Sequence, residues 1–356
     1  MKKFSRLNKI TAVSLAAVLS IGMMTGCGEQ KTAENTLHIY NWAEYIPQEL
    51  YDKFEEETGI KVVETTFSSN EEMLAKLTAG GTGQYDLITA SNYVIPAMIE
   101  QGLIKEININ NIPNFDNLYS MYKGMDFDKE NKWSVPYMAT LTVTAVNKKK
   151  CAELGVDIKS LNDLTDERLA QNLVAVDDCR ELVGVALKAE GKNPDETDES
   201  VIKSVEPWLG KLSKNIKIYD SDTAFSSLAV NDVAAGIVYN MDAALAIDEN
   251  PDIEVVYTEE PCSIAVDNFV LTSTSQKQIE AEKFINFIHD PQNYKICLEA
   301  YPAVAMNEKG FDLMDDEYKS NQGANPDKAE LERAHLIDDV GEAASYYDAA
   351  YSTMKQ

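Results

Sequence analysis

The sequence predicts an α/β fold divided between two lobes, and three observations lead to this prediction. Short runs of β-forming residues alternate with helical patterns along nearly the whole chain, which is typical of sheets covered by helices. Hydrophobic residues make up 44% of the 356 positions, enough to form a buried core. About 320 residues remain after an N-terminal leader, which is more than one hydrophobic core usually organises. We therefore expect two lobes.

The first 26 residues have the composition of a signal peptide. Four basic residues lie within the first nine positions, and the apolar or small stretch from Ile10 to Met24 is too short to span a bilayer stably. Its end, Met24 to Cys27, resembles the lipobox of bacterial lipoproteins. This implies that Cys27 is lipidated, that residues 27–35 form a tether, and that the body lies at the outer face of the cytoplasmic membrane or in a periplasm. The alternative is a plain signal peptide that happens to contain a cysteine.

The first third of the body alternates strands with helices. Pro47 suits the first turn of a helix and Gly59 its end, and Asn70 is expected to cap a second helix that is broken at Gly80. The predicted strands are 37–40, 60–67 and 85–90, and another helix ends near Gln101.

The same alternation continues almost to the end of the chain. The predicted strands are 172–176, 216–219, 234–239 and 268–271. The predicted helices are 180–190, 200–213, 223–230, 276–289 and 291–300.

The charge balance excludes one class of partner. The net charge of −27 becomes −31 once the leader, with four basic and no acidic residues, is removed. Nucleic acid binding requires basic patches, so we expect no nucleic acid partner. The acidity favours a small cation as a ligand, although solubility alone also explains it.

The cysteines and histidines provide no catalytic or metal-binding pattern. Cys151, Cys179, Cys262 and Cys297 allow three disulfide pairings in an oxidising compartment, or they stay reduced and buried. Their spacing does not match a zinc site. The three histidines, the glycine-rich turn at 80–83 and the rest of the chain contain no nucleophile, metal or phosphate-binding motif. We therefore expect a protein without catalytic residues, metal or cofactor.

Aromatic and acidic residues recur where predicted strands end or begin. Ligands of open α/β sheets bind beyond the carboxyl ends of the strands. Aromatic faces attract organic ammonium groups, and carboxylates accept charge-assisted hydrogen bonds from them. A bare metal ion would gain little from the rings. The junctions are Tyr40 to Tyr45, Ser91 to Tyr93, Asp177 to Glu181, Tyr239 to Asp242, and Asp267, which we expect to begin a strand.

Seven segments of the chain resemble the spermidine/putrescine-binding proteins of polyamine ABC transporters. The longest is YNWAEYIPQELYDKFEEETGIKV at 40–62, and the resemblance covers the chain from about Thr36 onward. The others are SSNEEMLAKL at 68–77, YDLITASNYV at 85–94, WSVPYM at 133–138, VDDCRE at 176–181, INFIHDPQNY at 285–294 and DVGEAASYY at 339–347.

The resemblance implies a periplasmic-binding-protein-like fold whose two lobes close over a ligand at a hinge. The first lobe would comprise 36–144 and about 267–306, and the second 145–266 and about 307–356. The expected partners are a polyamine and the permease subunits of an ABC importer, and the expected state is a monomer. The ligand-binding residues that the resemblance implies are Trp42, Glu44, Tyr45, Ser91, Tyr93, Asp178, Glu181, Tyr239, Asp242, Asp267 and Tyr301.

Two departures from the family pattern leave the ligand open. Ala265 stands where spermidine-type members have a tryptophan, and Ile337 stands where they have a glutamine. Putrescine and spermidine are the leading ligands, in no fixed order. Two other functions remain: a binding protein of this fold for another small cation, and an enzyme that uses Asp178 and Glu181 as an acid/base pair. A test of polyamine binding beside a test of turnover would separate these alternatives.

Overall fold

The computed structural model describes residues 35–356 as strands and helices in alternation. The strands are β1 Thr36–Trp42, β2 Lys61–Phe67, β3 Leu87–Ser91, β4 Ile104–Lys105, β5 Ser134–Asn147, β6 Leu173–Ala175, β7 Ile216–Tyr219, β8 Ala235–Tyr239, β9 Ile253–Val256, β10 Ser263–Thr272, β11 Val304–Ala305 and β12 His335–Leu336. The α-helices are α1 Gln48–Thr58, α2 Asn70–Thr78, α3 Ile95–Glu100, α4 Lys148–Leu154, α5 Cys179–Ala189, α6 Glu199–Lys203, α7 Glu206–Asn215, α8 Ala224–Ala229, α9 Asn240–Glu249, α10 Gln278–Ile288, α11 Pro291–Ala300, α12 Glu308–Asp312, α13 Asp316–Ser320, α14 Lys328–Arg333 and α15 Ala344–Met354.

The sheet has a set of parallel strands at each end, and two antiparallel strands join the two sets. Its main strand order is β2-β1-β3-β10-β5-β8-β6-β7. Strands β2, β1 and β3 run parallel at one end, and β8, β6 and β7 run parallel at the other. Between them, β10 pairs antiparallel with both β3 and β5, and β5 pairs antiparallel with β8. This is the two-lobed α/β fold that the sequence predicts.

The two long strands connect the ends of the sheet. Strand β5 has 14 residues and β10 has 10, and both are buried along nearly their whole length. The boundaries expected near 144, 266 and 306 fall within or beside β5, β10 and β11. The assignment of residues to each lobe stays a prediction.

Most of the predicted elements are confirmed, with four local corrections. Ser69, not Asn70, caps α2, because the Ser69 side chain accepts the N–H of Glu72. Pro47 precedes α1 as its N-cap residue and does not lie in its first turn. The helix predicted over 200–213 is divided into α6 and α7, with a proline in the first turn of α7. Asp267 does not begin a strand, because it lies in the middle of β10.

The core residues hold these elements in place through three groups of buried side chains. One group packs α5, α7 and α15 against β6 and β8 and includes Trp208 and Tyr347. A second packs α2 and α3 against β1 and β3 and includes Tyr40, whose ring stacks on that of Tyr85 with 4.3 Å between the ring centroids. The third and largest surrounds β5 and β10 and includes Phe269. Burial on this scale stabilises the sheet, since removing apolar surface from water contributes about 25 cal/mol per Å².

The predicted signal peptide and the predicted lipidation of Cys27 lie outside the described residues. Within residues 35–356, no helix is both long and apolar enough to cross a bilayer. Cys151, Cys179, Cys262 and Cys297 are free thiols in the structure, which matches the reduced state, one of the two states that the sequence left open. Burial raises the pKa of each thiol.

Candidate ligand-binding site

A cavity of about 80 Å³ lies where the parallel strands of both sheet ends terminate. Strands β1, β2, β3 and β8 each contribute their last residue to its lining, and the turns after β6 and β7 contribute others. The lining residues are Trp42, Ala43, Tyr45, Phe67, Ser68, Asn70, Ser91, Tyr93, Thr140, Asp178, Glu181, Ser221, Asp222, Tyr239, Met241, Ala265 and Asp267. The site therefore follows the rule that places ligands beyond the carboxyl ends of parallel strands.

The structure brings eight of the eleven predicted ligand-binding residues together in this lining. They are Trp42, Tyr45, Ser91, Tyr93, Asp178, Glu181, Tyr239 and Asp267. Glu44, Asp242 and Tyr301 do not line it. Contact with a ligand stays a prediction for all eleven.

Asp267 is the centre of a hydrogen-bonded group in the cavity. Its side chain is buried, its Oδ2 accepts the Tyr45 hydroxyl at 2.6 Å, and its Oδ1 accepts the Ser91 hydroxyl at 2.7 Å. Ser91 is the direct partner of Asp267 in the pairing of β3 with β10, so the sheet register fixes this contact. Burial raises the pKa of Asp267 to about 6, although both hydroxyls oppose the shift.

Two further carboxylates line the cavity from the start of α5. Asp178 is the N-cap residue, and its Oδ1 accepts the N–H of Glu181 at 3.0 Å. Glu181 is buried, and within residues 35–356 its Oε2 has no hydrogen-bond partner. Burial raises the pKa of both carboxyl groups, and the charge of Asp178 adds to the rise for Glu181. A cation between these groups would favour their charged forms and so oppose the rise in both pKa values.

Aromatic side chains form the walls beside the carboxylates. The ring of Trp42 packs against Phe67 with 4.4 Å between centroids. Tyr93 and Tyr239 line the cavity, and burial holds the pKa of each well above its usual range, so both hydroxyls stay neutral at physiological pH. Neutral aromatic rings attract a cation through the quadrupole of the ring face.

The three predicted residues outside the lining have partners of their own. Asp242 is buried, and its Oδ1 accepts the N–H of Phe225 at 3.0 Å, so that it ties α9 to the start of α8. The Tyr301 hydroxyl donates to Oε2 of Glu44 at 3.0 Å. Glu44 has a left-handed backbone with a φ of 50°, which directs the turn between β1 and α1.

Sequence reasoning missed several lining residues whose positions follow the same rule. Phe67 ends β2 beside Trp42 in β1, Ser68 follows it, and Met241 follows β8. Ser221 and Asp222 follow β7 in the same way. A search of every strand end would have found them. Thr140 lies mid-strand in β5 opposite Ala265, where no strand-end rule applies.

The arrangement suits reversible binding of an organic cation. The lining combines buried carboxylates with aromatic rings, and no lysine or arginine side chain is among the residues that form it. Within residues 35–356, no group of three or more histidine, cysteine, aspartate or glutamate side chains is arranged to hold a metal ion. Fold and site thus define a two-lobed solute-binding protein with an acidic, aromatic cavity.

Comparison with known proteins identifies the family. The profile of the bacterial extracellular solute-binding proteins matches residues 49–326, and the chain belongs to this family. The chain is 31% identical to the spermidine/putrescine-binding periplasmic protein of Escherichia coli over 100% of this chain and 99% of the relative. A solved structure from Listeria monocytogenes, described as a spermidine/putrescine ABC transporter, is 31% identical with a TM-score of 0.85 and covers 90% of this chain and 99% of that one. A spermidine/putrescine substrate-binding protein from Streptococcus pneumoniae has 27% identity and a TM-score of 0.74, covering 90% of this chain and 100% of that one.

Proposed function

We propose that this protein captures a polyamine, putrescine or spermidine, outside the cytoplasmic membrane and delivers it to an ABC importer. The observation that carries the proposal is the environment of Asp267. Its buried carboxylate meets two neutral hydroxyl donors and faces an aromatic cavity. Neutral donors do not cancel its charge, whereas an ammonium group would, at close range and away from water.

A second cationic group of the ligand would meet the carboxylates of α5. Asp178 and Glu181 line the same cavity, and Oε2 of Glu181 has no partner within the described chain. An α,ω-diamine carries one ammonium group for each acidic region and methylenes for the aromatic walls between them. Spermidine adds a third amine. Ala265 in the lining leaves that side without a large ring, which favours the shorter diamine, whereas the paired carboxylates favour the longer ligand.

The same proposal covers the partners, the membrane anchor and the motion of the protein. The partners are the permease subunits of an importer, the protein acts as a monomer without enzymatic activity, and Cys27 anchors it to the membrane through lipid. The lobes, 36–144 with about 267–306 and 145–266 with about 307–356, close around the ligand by bending at β5 and β10. Closure of this kind is a hinge motion in which the ligand favours the shut state.

Calorimetry on the mature protein tests the proposal. Putrescine and spermidine should bind in a 1:1 ratio, and small-angle scattering should give a smaller radius of gyration with saturating ligand. Butylamine, with the same four-carbon chain and a single ammonium group, is the matched control and should bind at least tenfold more weakly. Equal affinity for butylamine and putrescine would contradict the two-region site, and binding of neither polyamine would contradict the proposal.

A further inference from the structure

Asn70 faces the cavity instead of capping its own helix. Ser69 accepts the N–H of Glu72 and so performs the capping, which leaves the side chain of Asn70, the first residue of α2, free for other contacts. That side chain is 2% exposed and belongs to the cavity lining. A buried amide needs partners for its two N–H groups and its oxygen, since an unpaired one costs about 1–3 kcal/mol.

The partners of Asn70 are both hydroxyl residues of β3 and the turn that follows it. Nδ2 of Asn70 donates to Oγ of Ser91 at 3.0 Å and to the hydroxyl of Tyr93 at 2.7 Å. Oδ1 of Asn70 accepts the backbone N–H of Ser91 at 3.4 Å. This last bond fixes the orientation of the amide, because a flipped amide would set its N–H₂ group against the N–H of Ser91.

The oriented amide determines where the hydroxyl hydrogens point. Both hydrogens of the Asn70 amide are used, so Ser91 and Tyr93 each receive a hydrogen bond from it. The Ser91 hydroxyl accepts from Asn70, and its own hydrogen is donated to Oδ1 of Asp267 at 2.7 Å. Were the amide absent, the Ser91 hydroxyl would be free to rotate, and its bond to Asp267 would be one choice among several. The Tyr93 oxygen likewise accepts a hydrogen bond from Asn70.

We propose that Asn70 is a positioning residue of this site: its amide holds the Ser91 hydroxyl in the direction that donates to Asp267. Asp267 is thereby kept charged and in place for the ammonium group. The role of the ligand rests on the proposed function, whereas the effect of Asn70 on Asp267 is a property of the empty protein.

The test follows Asp267 itself in the ligand-free protein. Asp267 shares the cavity with other titratable groups, namely Tyr45, Tyr93, Tyr239, Asp178 and Glu181, so its own titration must be separated from theirs. Its carboxyl carbon is followed by ¹³C NMR and is assigned as the signal that disappears in Asp267→Asn. In Asn70→Ala the titration midpoint of Asp267 should rise by about half a pH unit or more, because a hydroxyl donor that favours the charged form is no longer held in place.

The same change made in a Ser91→Ala protein separates the positioning of Ser91 from a general loss of packing around the cavity. Where Ser91→Ala has already removed the donor, adding Asn70→Ala should leave the Asp267 midpoint unchanged. Asn70→Leu keeps the approximate size of the side chain, adds no charge and donates no hydrogen bond, so it should raise the midpoint as Asn70→Ala does, and it carries the test if Asn70→Ala does not fold. Thr78→Ala, which removes only a surface bond to Gln101 at the other end of α2, should move nothing.

Each outcome decides one proposal. An unchanged Asp267 midpoint in the folded Asn70 variants, or an equal shift in the Ser91→Ala background, would overturn the role of Asn70. Calorimetry on the same proteins should show that Asn70→Ala binds putrescine about threefold more weakly than the parent protein at pH 5, one unit below the pKa of Asp267. If putrescine does not bind the parent protein while the midpoint still shifts, the proposed ligand is wrong and the positioning role stands.

Discussion

The hydroxyl of Tyr45 donates a hydrogen bond of 2.6 Å to Oδ2 of Asp267, joining residues 222 positions apart in the sequence. Tyr45 lies in the turn after β1, and Asp267 lies in the middle of β10. The tyrosine is 3% exposed and the aspartate 4% exposed, so water contributes little to the solvation of this carboxylate. Asp267 is therefore held in a fixed direction by neutral groups, which is the state expected of a carboxylate that awaits a cation.

Asp267→Asn should weaken putrescine binding by about 30-fold or more. The amide keeps the size of the side chain but leaves a buried ammonium group without its counter-charge, and losing one partner of a buried charge pair costs about 2–5 kcal/mol. Calorimetry with the folded variant measures the loss.

Tyr45→Phe is the matched control for this change. It removes one neutral donor to Asp267 while the charge remains, so we expect a loss of about tenfold or less. Affinity for putrescine equal to that of the parent protein in Asp267→Asn would refute the central place of this residue.

Putrescine affinity should rise as the pH increases from 5 to 8. The pKa of Asp267 is about 6, and burial also raises the pKa of Glu181, so both carboxyl groups of the empty cavity gain protons as the pH falls through this range. Aliphatic ammonium groups keep their protons throughout. Each carboxyl group that must lose a proton reduces the affinity by about tenfold per pH unit below its pKa.

Proton release provides the direct measurement of this linkage. At pH 6 the binding heat of putrescine should differ between buffers of different ionisation enthalpy in the direction of protons leaving the protein. Heats that are the same in all buffers would show that the carboxyl groups are already ionised when the ligand arrives.

Asp242→Asn should stabilise the empty protein at pH 8 but not at pH 4. Burial raises the folded-state pKa of Asp242 to about 7, far above its ordinary value of 3.8. The folded state therefore binds the proton more tightly than the unfolded state, and the stability from this group is full below about pH 4 and lost as the pH rises through 7. Asparagine cannot ionise, so the free energy of unfolding should be about 2–4 kcal/mol larger at pH 8.

Urea unfolding at both pH values, with Asp126→Asn as a control, measures this difference. The side chain of Asp126 is 98% exposed, and its replacement should change the stability by less than about 0.5 kcal/mol. Because Asp242 accepts the N–H of Phe225 outside the cavity lining, putrescine binding should change by less than about twofold in Asp242→Asn. A loss like that in Asp267→Asn would mean that Asp242 reaches the ligand after all, as the sequence suggests.

Strand ends were the most predictable part of the site. Trp42 and Ser91 end strands that run in the same direction, whereas Tyr239 ends β8, which runs the opposite way beyond β10 and β5. The carboxyl ends of both sets of parallel strands meet at the cavity, where the strand-end rule places a ligand. Glu44 and Asp242 came from the same junction pattern as well as from the family resemblance, and Tyr301 came from the resemblance alone. Glu44 and Asp242 are close to strand ends in sequence, but the local backbone turns their side chains away from the cavity lining. The type of side chain does not reveal such a turn.

Asn70 and β5 show what the sequence leaves undetermined. Ser69 and Asn70 are both good capping residues, and only the extended backbone of Ser69 decides between them. Strand β5 was not predicted, and it contains Pro136, a residue type that is rare in central strands. The structure accommodates that proline opposite Asn268, where the pairing with β10 is irregular between Asp267 and Asn268.

Arg180→Met should destabilise the protein by about 3 kcal/mol. The guanidinium of Arg180 donates to Asp195 at 2.7 Å and to the carbonyl of Asp338 at 3.1 Å, and it lies 4.3 Å from the ring centre of Tyr347. The two charged side chains are only 4% and 10% exposed. Removing one partner of such a pair leaves the other charge buried, which typically costs 3–5 kcal/mol. Asp195 keeps His335 as a second partner, so we expect the lower end of that range.

Arg168→Met is the matched control, because Arg168 pairs with Asp166 at the surface, where the side chains are 52% and 26% exposed. Water solvates Asp166 once the arginine is gone, so this change should cost about 1 kcal/mol or less. Urea unfolding of the two variants at pH 7.5 compares the pairs directly, since both replacements remove the same atoms and differ mainly in burial. Equal losses in the two variants would mean that the buried pair with Asp195 contributes no more than a surface pair.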